Sequence, residues 1–284
     1  MSNITASMVK ELREISGVGM MECKKALVEC KGDMEAAKEH LRKTGQAKAL
    51  KKSSRATKDG GIGMFISEDK SRGALVKIAC ETDFVAKNEQ FQKLLLDLAQ
   101  QASTQGNNDF LNQSSIQGEG TVQDIVHKAI SELGENIQFL EAASQSTNSG
   151  IVGGYVHMTG KIGVIVTLEV DQPYGGSELD DLAKDISMHV AATSAEAISE
   201  DQISPEILEK EKEILIAQAK ESGKPDNIIE KMITGRLNKF KKEVCILSQP
   251  FVKNPDQTIK ALLEDSGKQI ERKISLTAFA KFQF

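Results

Sequence analysis

The spacing of hydrophobic residues changes near residue 80, from a strand pattern to a helix pattern. Residues 73–80 form a short apolar run rich in branched side chains, which is typical of a buried strand. Farther along, apolar side chains recur at helical spacing, at Phe84, Phe91, Leu94, Leu95 and Leu98. The pattern predicts a strand followed directly by one helix over 84–101. Thr82 or Asp83 is the expected N-cap, because either side chain can accept a bond from free backbone N–H groups.

Phe84 stands at the start of this predicted helix, next to an acidic residue. An aromatic side chain in that place either packs back into the core or points outward as an anchor for a partner. Most aromatic side chains are buried, so the pattern alone favours a core position for Phe84.

The N-terminal segment shows the pattern of three short helices closed by glycines. Asp33 can cap the third helix, which Gly45 is expected to end. Residues 46–61 are rich in Lys, Ser, Thr and Gly and offer little apolar surface. We therefore expect a compact three-helix domain over 1–55, followed by a linker that lets it move.

The rest of the chain contains a repeat. The apolar run that begins at Gly73 is echoed 90 residues later by the run that begins at Gly163. Each run follows another strand pattern across a short turn and precedes two helix patterns and a final strand pattern, so each half predicts β-β-α-α-β. The predicted strands cover 63–67, 73–79, 136–142, 154–158, 163–169 and 269–284, and the helices cover 84–101 and 179–192 and begin again at Thr121 and Thr258.

This order of elements predicts an α+β fold. Hairpins followed by helices form antiparallel sheets with helices on one face, and we expect the two halves to pack as one core. The first half covers 56–145, and the second half covers 146–198 and 238–284.

The two halves differ in the segment that joins their helices. The first half has a polar loop over 105–120, whereas residues 199–237 of the second half predict a helical-hairpin arm. The arm starts at Pro205 and turns at Ser222-Gly223-Lys224-Pro225. Its apolar side chains exceed what two helices need to bury against each other, so we expect it to dock on this chain's core or on another protein.

Charge is distributed unevenly along the chain. Its 284 residues suggest two or three domains and carry a net charge of −5, but residues 1–58 contribute +6 and the remainder −11. Glutamates interleave the basic residues of the first segment, and no aromatic residue precedes Phe65 to stack on a base. A solvated helical surface, or a patch that faces an acidic protein, is therefore expected rather than direct nucleic-acid binding.

Other signals restrict the location and the chemistry. No apolar run approaches the roughly 20 residues that span a bilayer, and the N-terminus has charged residues where a signal peptide needs an apolar core, so we expect a cytoplasmic protein without a membrane partner. The chain has no GxxxxGK phosphate loop and no Cys/His metal spacing, so no cofactor or metal is expected. The cysteines are expected to be reduced structural thiols: Cys23, Cys30, Cys80 and Cys245.

Several longer segments, in order along nearly the whole chain, closely resemble the bacterial elongation factor Ts family. They are ITASMVKELREISGVGMMECKKAL, ETDFVAKNEQF, ISELGENI, GGYVHMTGKIGVIV, ISMHVAA, SGKPDNIIEKMITGRLNKF and QPFV. The resemblance implies a guanine nucleotide exchange factor for the GTPase elongation factor Tu, without covalent chemistry of its own. It also implies a ubiquitin-associated-like N-terminal domain, a two-lobed core and a coiled-coil arm. The C-terminal run SLTAFAKFQF departs from the usual family ending.

The resemblance also implies which residues touch the partner. The TDFV motif, which reaches the magnesium and nucleotide region of the GTPase, falls at Thr82, Asp83, Phe84 and Val85. Further partner contacts are implied at Leu133, Gly134, His157, Met20 and Met21.

Two other classes of function fit parts of the sequence. A thiol enzyme would use Cys80 with a histidine such as His157 or His189. However, Cys80 ends a buried strand, Glu81 beside it would raise the thiol pKa, and His189 lies on an apolar stripe typical of a core residue. A helical adaptor would need only residues 1–55 for its activity, whereas exchange requires the core. The arm could contact the GTPase or form a homodimer with its copy.

Overall fold

A computed structural model describes residues 4–118, 120–174, 176–221 and 226–284, which form the expected α+β fold. The helices are α1 (Ala6–Ser16), α2 (Met20–Glu29), α3 (Met34–Lys52), α4 (Asp83–Ala86), α5 (Glu89–Gln105), α6 (Val122–Leu133), α7 (Glu178–Ala192), α8 (Pro205–Glu221), α9 (Asp226–Val244) and α10 (Ile259–Gln269). The strands are β1 (Asp59–Ile66), β2 (Arg72–Cys80), β3 (Ile137–Ser146), β4 (Gly150–Val156), β5 (Ile162–Val170), β6 (Pro250–Phe251), β7 (Asn254–Thr258) and β8 (Ile274–Gln283). None of the helices in these ranges is both long and apolar enough to cross a membrane.

Helices α1 to α3 begin and end at residues suited to capping. The Thr5 hydroxyl accepts the Met8 N–H at 3.2 Å, and the Asp33 carboxylate accepts the Ala36 N–H at 3.0 Å. Gly17 ends α1 in the left-handed conformation, with φ of 70°. The helices pack around their own apolar cluster, which includes Val9, Leu12, Val18, Cys23, Ala26, Leu27 and Ala37.

The structure corrects the predicted end of the third helix. Helix α3 continues through Gly45 to Lys52, so the first part of the predicted linker is helical. Ala49 on this extension is buried in the core of the first half. A Cβ at Gly45 would come within 2.9 Å of the Ser131 hydroxyl on α6, so glycine permits a close helix contact that outweighs its low helix propensity. The N-terminal helices are therefore joined to the core by a packed helix.

Two antiparallel sheets repeat one plan, as the sequence repeat predicts. The first has strand order β1-β2-β3 and the second β4-β5-β8. Cys80 pairs with Ile137 in the first, and Val170 pairs with Ile274 in the second. Each central strand also shows a register shift at an equivalent place, three residues before Cys80 and three before Val170.

The two halves do not share one core, contrary to the prediction. Val76 and Ile78 of β2 face a cluster with α5 and α6, whereas Val166 and Leu168 of β5 belong to a separate cluster with α7 and α10. A smaller cluster lies between the sheets and contains Ile62, Leu75, Val152, Ile165 and Phe282. Because side chains alternate along a strand, one face of each sheet packs against helices and the opposite face packs against the other sheet.

Several strand limits differ from the prediction. Strand β1 starts at Asp59 and β4 at Gly150, earlier than the apolar runs indicate, because glycines at their ends still pair in the ladders. Strand β8 starts only at Ile274, because α10 occupies residues to Gln269. The short hairpin of β6 and β7 was not predicted, since it holds few apolar residues.

Helices α8 and α9 pack along each other, and the predicted turn Ser222-Gly223-Lys224-Pro225 lies outside the described residues. Among residues 205–219 and 229–244, whose side chains the structure describes, Leu215 and Ala219 are buried, and Ile214, at 44 % exposed, is the one large apolar side chain left exposed. The base of the arm therefore packs on this chain, which is one of the two docking modes expected from its apolar side chains, and contact with another protein stays a prediction. The base cluster contains Ala197, Ile203, Ile207, Leu208, Phe240, Val244 and Cys245.

Candidate partner-binding site

The first junction, residues 81–84, connects β2 to the helices of the first half. The single helix predicted over 84–101 is two helices in the structure. Helix α4 is one turn long and is capped by Thr82, whose hydroxyl accepts the Val85 N–H at 3.3 Å. Asn88 then caps α5, because its side-chain oxygen accepts the Gln90 N–H at 2.8 Å. The second N-cap explains the break between the helices.

Phe84 is 82 % exposed, so the core position favoured by the sequence pattern is wrong. A single helical turn can face the core with only part of its residues. Ala86 is buried there, and Val85 packs partly against the core of the first half. These two residues occupy the inward positions, which leaves the Phe84 ring in solvent. An aromatic ring left in solvent has a large apolar area that it can bury against a partner.

Asp83 is the second exposed residue of this motif. Its carboxylate lies 2.7 Å from the Lys87 ammonium on the next turn, and both side chains are at least half exposed. An exposed pair of this kind contributes little to stability, so Asp83 remains free to exchange Lys87 for another ligand or partner group. Thr82 and Val85 therefore position the motif, while Asp83 and Phe84 present it to solvent.

The loop 134–136 holds the first junction through two carboxylates. Glu135 accepts the main-chain N–H groups of Glu81 and Thr82 at 3.1 and 3.0 Å, and also the Thr82 hydroxyl at 2.7 Å. Glu81 in turn accepts the Asn136 N–H at 2.6 Å and pairs with the Arg55 guanidinium at 3.3 Å. The Asn136 N–H is the main reason that the pKa of Glu81 lies below its ordinary value, and Arg55 adds to this effect.

Leu133 and Gly134 lie directly before this loop, next to the first junction. Gly134 ends α6 in the left-handed conformation, with φ of 81°, and donates its N–H to the Ile130 carbonyl at 3.1 Å. Leu133 packs partly against the first core. The Lys52 ammonium reaches the Gly134 carbonyl at 2.7 Å. The structure therefore brings the implied contacts at Leu133 and Gly134 together with the TDFV motif and the end of α3.

His157 lies in the turn between β4 and β5 of the second half. Its Nδ1 atom is 2.9 Å from the Tyr155 hydroxyl, which orients the ring. Met158, the next residue, is 92 % exposed. The turn therefore exposes the Met158 side chain beside a half-buried His157.

The turn of the second half approaches the same end of the first sheet as the first junction. The Ile62 N–H of β1 donates to the Gly160 carbonyl at 2.9 Å. The Lys161 ammonium forms an ion pair with Asp59, and Asp59 is the β1 residue opposite Cys80. Since Cys80 directly precedes the first junction, one end of the two sheets collects the TDFV motif, the loop 134–136 and the turn that carries His157.

Met20 and Met21 open helix α2, which packs against α1 and α3. Both side chains are exposed, as are Ile15 and Val28 on the same three-helix domain. All four belong to the N-terminal helices, which pack around a cluster of their own, apart from the core beneath the first junction.

Comparison with known proteins decides the family. The family model described as "Elongation factor TS" matches residues 81–284. Elongation factor Ts of Parvibaculum lavamentivorans is 45 % identical over 99 % of this chain and 92 % of its own length. The protein of the same name from Clostridium botulinum (strain 657) is 42 % identical over 99 % of this chain and 92 % of its own, and that from Acidithiobacillus ferrooxidans is 48 % identical over 92 % of this chain and 86 % of its own.

The chain belongs to the elongation factor Ts family.

In the described part of this family member, Cys80 and His189 do not have the properties of a thiol site. Burial is the main reason that the pKa of Cys80 is raised to about 11, and the carboxylates of Asp59 and Glu135 raise it further. The Cys80 thiol donates to the Thr82 carbonyl at 3.2 Å, and His189 is fully buried against Gln249. In the part of the chain that the structure describes, no group of three or more His, Cys, Asp and Glu side chains is arranged to hold a metal ion.

Reasoning from the sequence missed Glu135, although it lies inside a segment that resembles the elongation factor Ts family. Its three hydrogen bonds join residues more than fifty positions apart, which no local spacing reveals. Only the strand pairing of the structure aligns Glu135 with a residue of opposite charge in the second half, Arg272.

Proposed function

We propose that this chain is a guanine nucleotide exchange factor that binds elongation factor Tu in its GDP form and promotes GDP release. Membership of a family of translation elongation factors supports this function. The observation that carries the mechanism is the solvent-exposed Phe84 ring, which stands beside Asp83 on a junction held by hydrogen bonds. The site of action is then the cytoplasm, where translation takes place.

The proposed mechanism acts on the magnesium and phosphate site of the GTPase. GTPases hold nucleotide with phosphate-binding N–H groups and Mg²⁺, and this ion orders their switch segments. An exchange factor binds the state in which that site is distorted, and linkage requires factor and nucleotide to weaken each other equally. Asp83 and Phe84 would enter this region, while Thr82 and Val85 hold them on the core.

Magnitudes show that the ring cannot act alone. Burial of one phenylalanine contributes about 1.5 to 3 kcal/mol, whereas nanomolar nucleotide affinity corresponds to roughly 12 kcal/mol. A broad interface must therefore support the insertion. We assign Leu133, Gly134 and His157 to the same face of the core, and Met20 and Met21 to a second contact on the N-terminal helices.

The proposal also assigns a role to each domain of the chain. Residues 1–55 form a ubiquitin-associated-like domain, with α3 shared between it and the core. Residues 56–145 form one lobe, and 146–198 with 238–284 form the other. Residues 199–237 form a helical arm that contacts the GTPase or a second copy of the chain. The chain contributes binding energy and no covalent chemistry, and it needs no cofactor and no contact with nucleic acid.

Release of a fluorescent GDP analogue from elongation factor Tu tests the proposal. The wild-type chain should accelerate release strongly, and Phe84→Ala should lower that acceleration at least about tenfold, which corresponds to 1.4 kcal/mol. The matched control is Leu96→Ala, which removes another exposed apolar side chain on α5 of the same half. It should exchange normally. Absence of acceleration by the wild-type chain would rule out the function, and normal exchange by Phe84→Ala would rule out the insertion.

A further inference from the structure

Glu135 does more than join two loops, because it sets the hydrogen bonding of Thr82. The Thr82 hydroxyl donates to Glu135 at 2.7 Å and accepts the Val85 N–H at 3.3 Å. A hydroxyl has one hydrogen and two lone pairs. When its hydrogen points at Glu135, a lone pair is available for the N–H group that starts α4. The carboxylate thus orients the cap of the helix that carries Phe84.

Helix α4 depends on such support because it is only one turn long. A single turn fixes several backbone dihedrals for very few hydrogen bonds and is unstable alone. Its exposed residues, Asp83 and Phe84, add no core packing, and only Val85 and Ala86 contact the first core. The orientation of the Phe84 ring in the free chain therefore rests on the two ends of α4. Thr82 secures the N-terminal end.

Comparison of the two halves shows which hydrogen bonds at the junctions they share and which occur in the first half. At the second junction, residues 171–174, the Asp171 carboxylate accepts the Lys273 N–H at 3.1 Å. The strand pairing makes this bond the counterpart of the bond from Asn136 to Glu81. A carboxylate directly after the central strand, bonded to the residue directly before the last strand, is thus common to both halves.

The bonds made by Glu135 belong to the first half alone. Its counterpart by strand register is Arg272. A guanidinium has only donors, so Arg272 cannot accept N–H groups as Glu135 does. The counterpart of Phe84 is Tyr174, which packs partly against the second core. The half that presents an exposed ring is therefore the half that has an acceptor at this position.

We propose that Glu135 is a positioning residue of the exchange site, which acts through Thr82 to keep α4 folded and the Phe84 ring directed at the partner. This inference rests on the proposed function. A loosened α4 would have to be ordered again during each encounter, which reduces the fraction of complexes in which Phe84 is inserted. The contacts assigned to His157 and to the N-terminal helices lie outside the loop that holds Glu135. Loss of Glu135 should therefore slow GDP release at saturating factor more than it changes the half-saturating concentration.

The experiment is a double-mutant cycle between Glu135 and Phe84, measured by GDP release and by thermal unfolding. We expect Glu135→Ala to lower the release rate at saturation about fivefold to tenfold, the size expected for the net contribution of one typical hydrogen bond. Glu135→Gln keeps one acceptor oxygen, so its release rate should lie between those of the wild type and Glu135→Ala. In the Phe84→Ala background, Glu135→Ala should change release less than twofold but lower the melting temperature as much as in the wild type.

The control is Gln101→Ala, which disrupts a buried network in the same half. The Gln101 side chain donates to Gln113 and Ser114 and accepts the Ile116 N–H, away from the first junction. This variant should melt earlier and exchange normally. A fluorinated phenylalanine at position 84 adds a direct measurement, since its ¹⁹F resonance in the free chain should shift in Glu135→Gln and not in Gln101→Ala.

The outcomes distinguish this inference from the proposed function. Equal losses of exchange from Glu135→Ala with and without Phe84, or a loss in Gln101→Ala that matches its loss of stability, would overturn the positioning role. An unchanged ¹⁹F resonance in Glu135→Gln would also overturn it. If instead the wild-type chain fails to accelerate GDP release, the proposed function fails, whereas the ¹⁹F comparison still reports whether Glu135 holds the ring.

Discussion

The first and second junctions connect equivalent strands to equivalent helices, yet they treat their aromatic residues in opposite ways. Phe84 follows Cys80 by four residues and is exposed, whereas Tyr174 follows Val170 by four residues and packs partly on the second core. Both junctions share one hydrogen bond, in which a carboxylate directly after the central strand accepts the N–H of the residue directly before the last strand. The repeated fold therefore provides the same junction twice, and we infer that the added hydrogen bonds of Glu135 adapt the first junction to the proposed interaction.

The halves also differ in the element that supports them. The first half is covered by the end of α3, through Ala49 in its core and Lys52 at Gly134. The second half holds the base of the arm, where Gln249 accepts the His189 N–H at 2.7 Å and donates to the Glu243 carbonyl at 2.6 Å. The two appended elements are thus attached by packing and hydrogen bonds to different halves.

Removal of α3 should have the largest effect on stability. A chain that lacks residues 1–55 loses Ala49 from the first core and the Ser53 and Arg55 carbonyls that accept the Asn136 side chain. We expect its free energy of unfolding to fall by roughly 3 to 5 kcal/mol, as for a large core defect. Urea unfolding measures this value. The control chain starts at Gly32 and keeps α3, so its core should remain the more stable of the two. Equal unfolding midpoints would show that α3 does not support the first half.

Replacement of the two aromatic residues should give opposite results. Tyr174→Ala removes packing from the second core and should cost about 1 to 2 kcal/mol of stability with normal exchange. Phe84→Ala should leave the melting temperature nearly unchanged and reduce exchange, because its ring is exposed. Thermal unfolding and GDP release on both variants test the pair. The comparison fails if both variants change the same property.

Much of this architecture follows from local signals in the sequence. Thr5, Asp33, Thr121 and Thr258 cap helices as their side-chain chemistry predicts. The repeat predicts the order of elements in both halves. These features depend on short-range hydrogen bonding and on residue periodicity, which a single sequence records directly.

The errors arise where long-range packing outweighs local preference. Gly45 looks like a helix end, but the close approach of Ser131 retains it inside α3. Phe84 looks like a core residue, but Val85 and Ala86 fill the inward positions of a one-turn helix. Asn88 carried a cap signal that the apolar spacing of the following helix concealed. The partition into two cores depends on strand faces, which the repeat alone does not specify.

The hydrogen bond from the Asn136 N–H to the Glu81 carboxylate should make a smaller contribution to stability, and this contribution should depend on pH. Because the pKa of Glu81 is lower in the folded chain, the unfolded chain binds more protons at acidic pH. The bond therefore stabilises the fold fully above the ordinary pKa of about 4.5, and its contribution is lost as pH falls through the folded value. Glu81→Gln should flatten the acid side of a plot of melting temperature against pH. An identical acid limb in wild type and variant would contradict this assignment.

Shortening the arm should change the stability of the core least. A short Gly/Ser loop in place of residues 212–235 keeps the base cluster, including Ile207, Leu208 and Phe240. We expect an unchanged melting temperature of the core, with persistent GDP release but weaker binding of the GTPase or loss of self-association. Sedimentation with and without elongation factor Tu distinguishes these two roles of the arm. Unchanged assembly and affinity would show that the arm serves neither, and collapse of the core would show that it is structural.

The placement of the arm between β5 and β8 also bears on how the chain acquires its fold. Cys80 meets Ile137 across a short stretch of sequence, whereas Val170 meets Ile274 across nearly twice that length. Non-local strand pairing is slow, and a chain emerges from the ribosome from its N-terminus onward. The first sheet can therefore close while the second still waits for its last strand. During that interval one edge of β5 is unpaired, which makes it the place where a nascent chain of this protein most needs protection from aggregation.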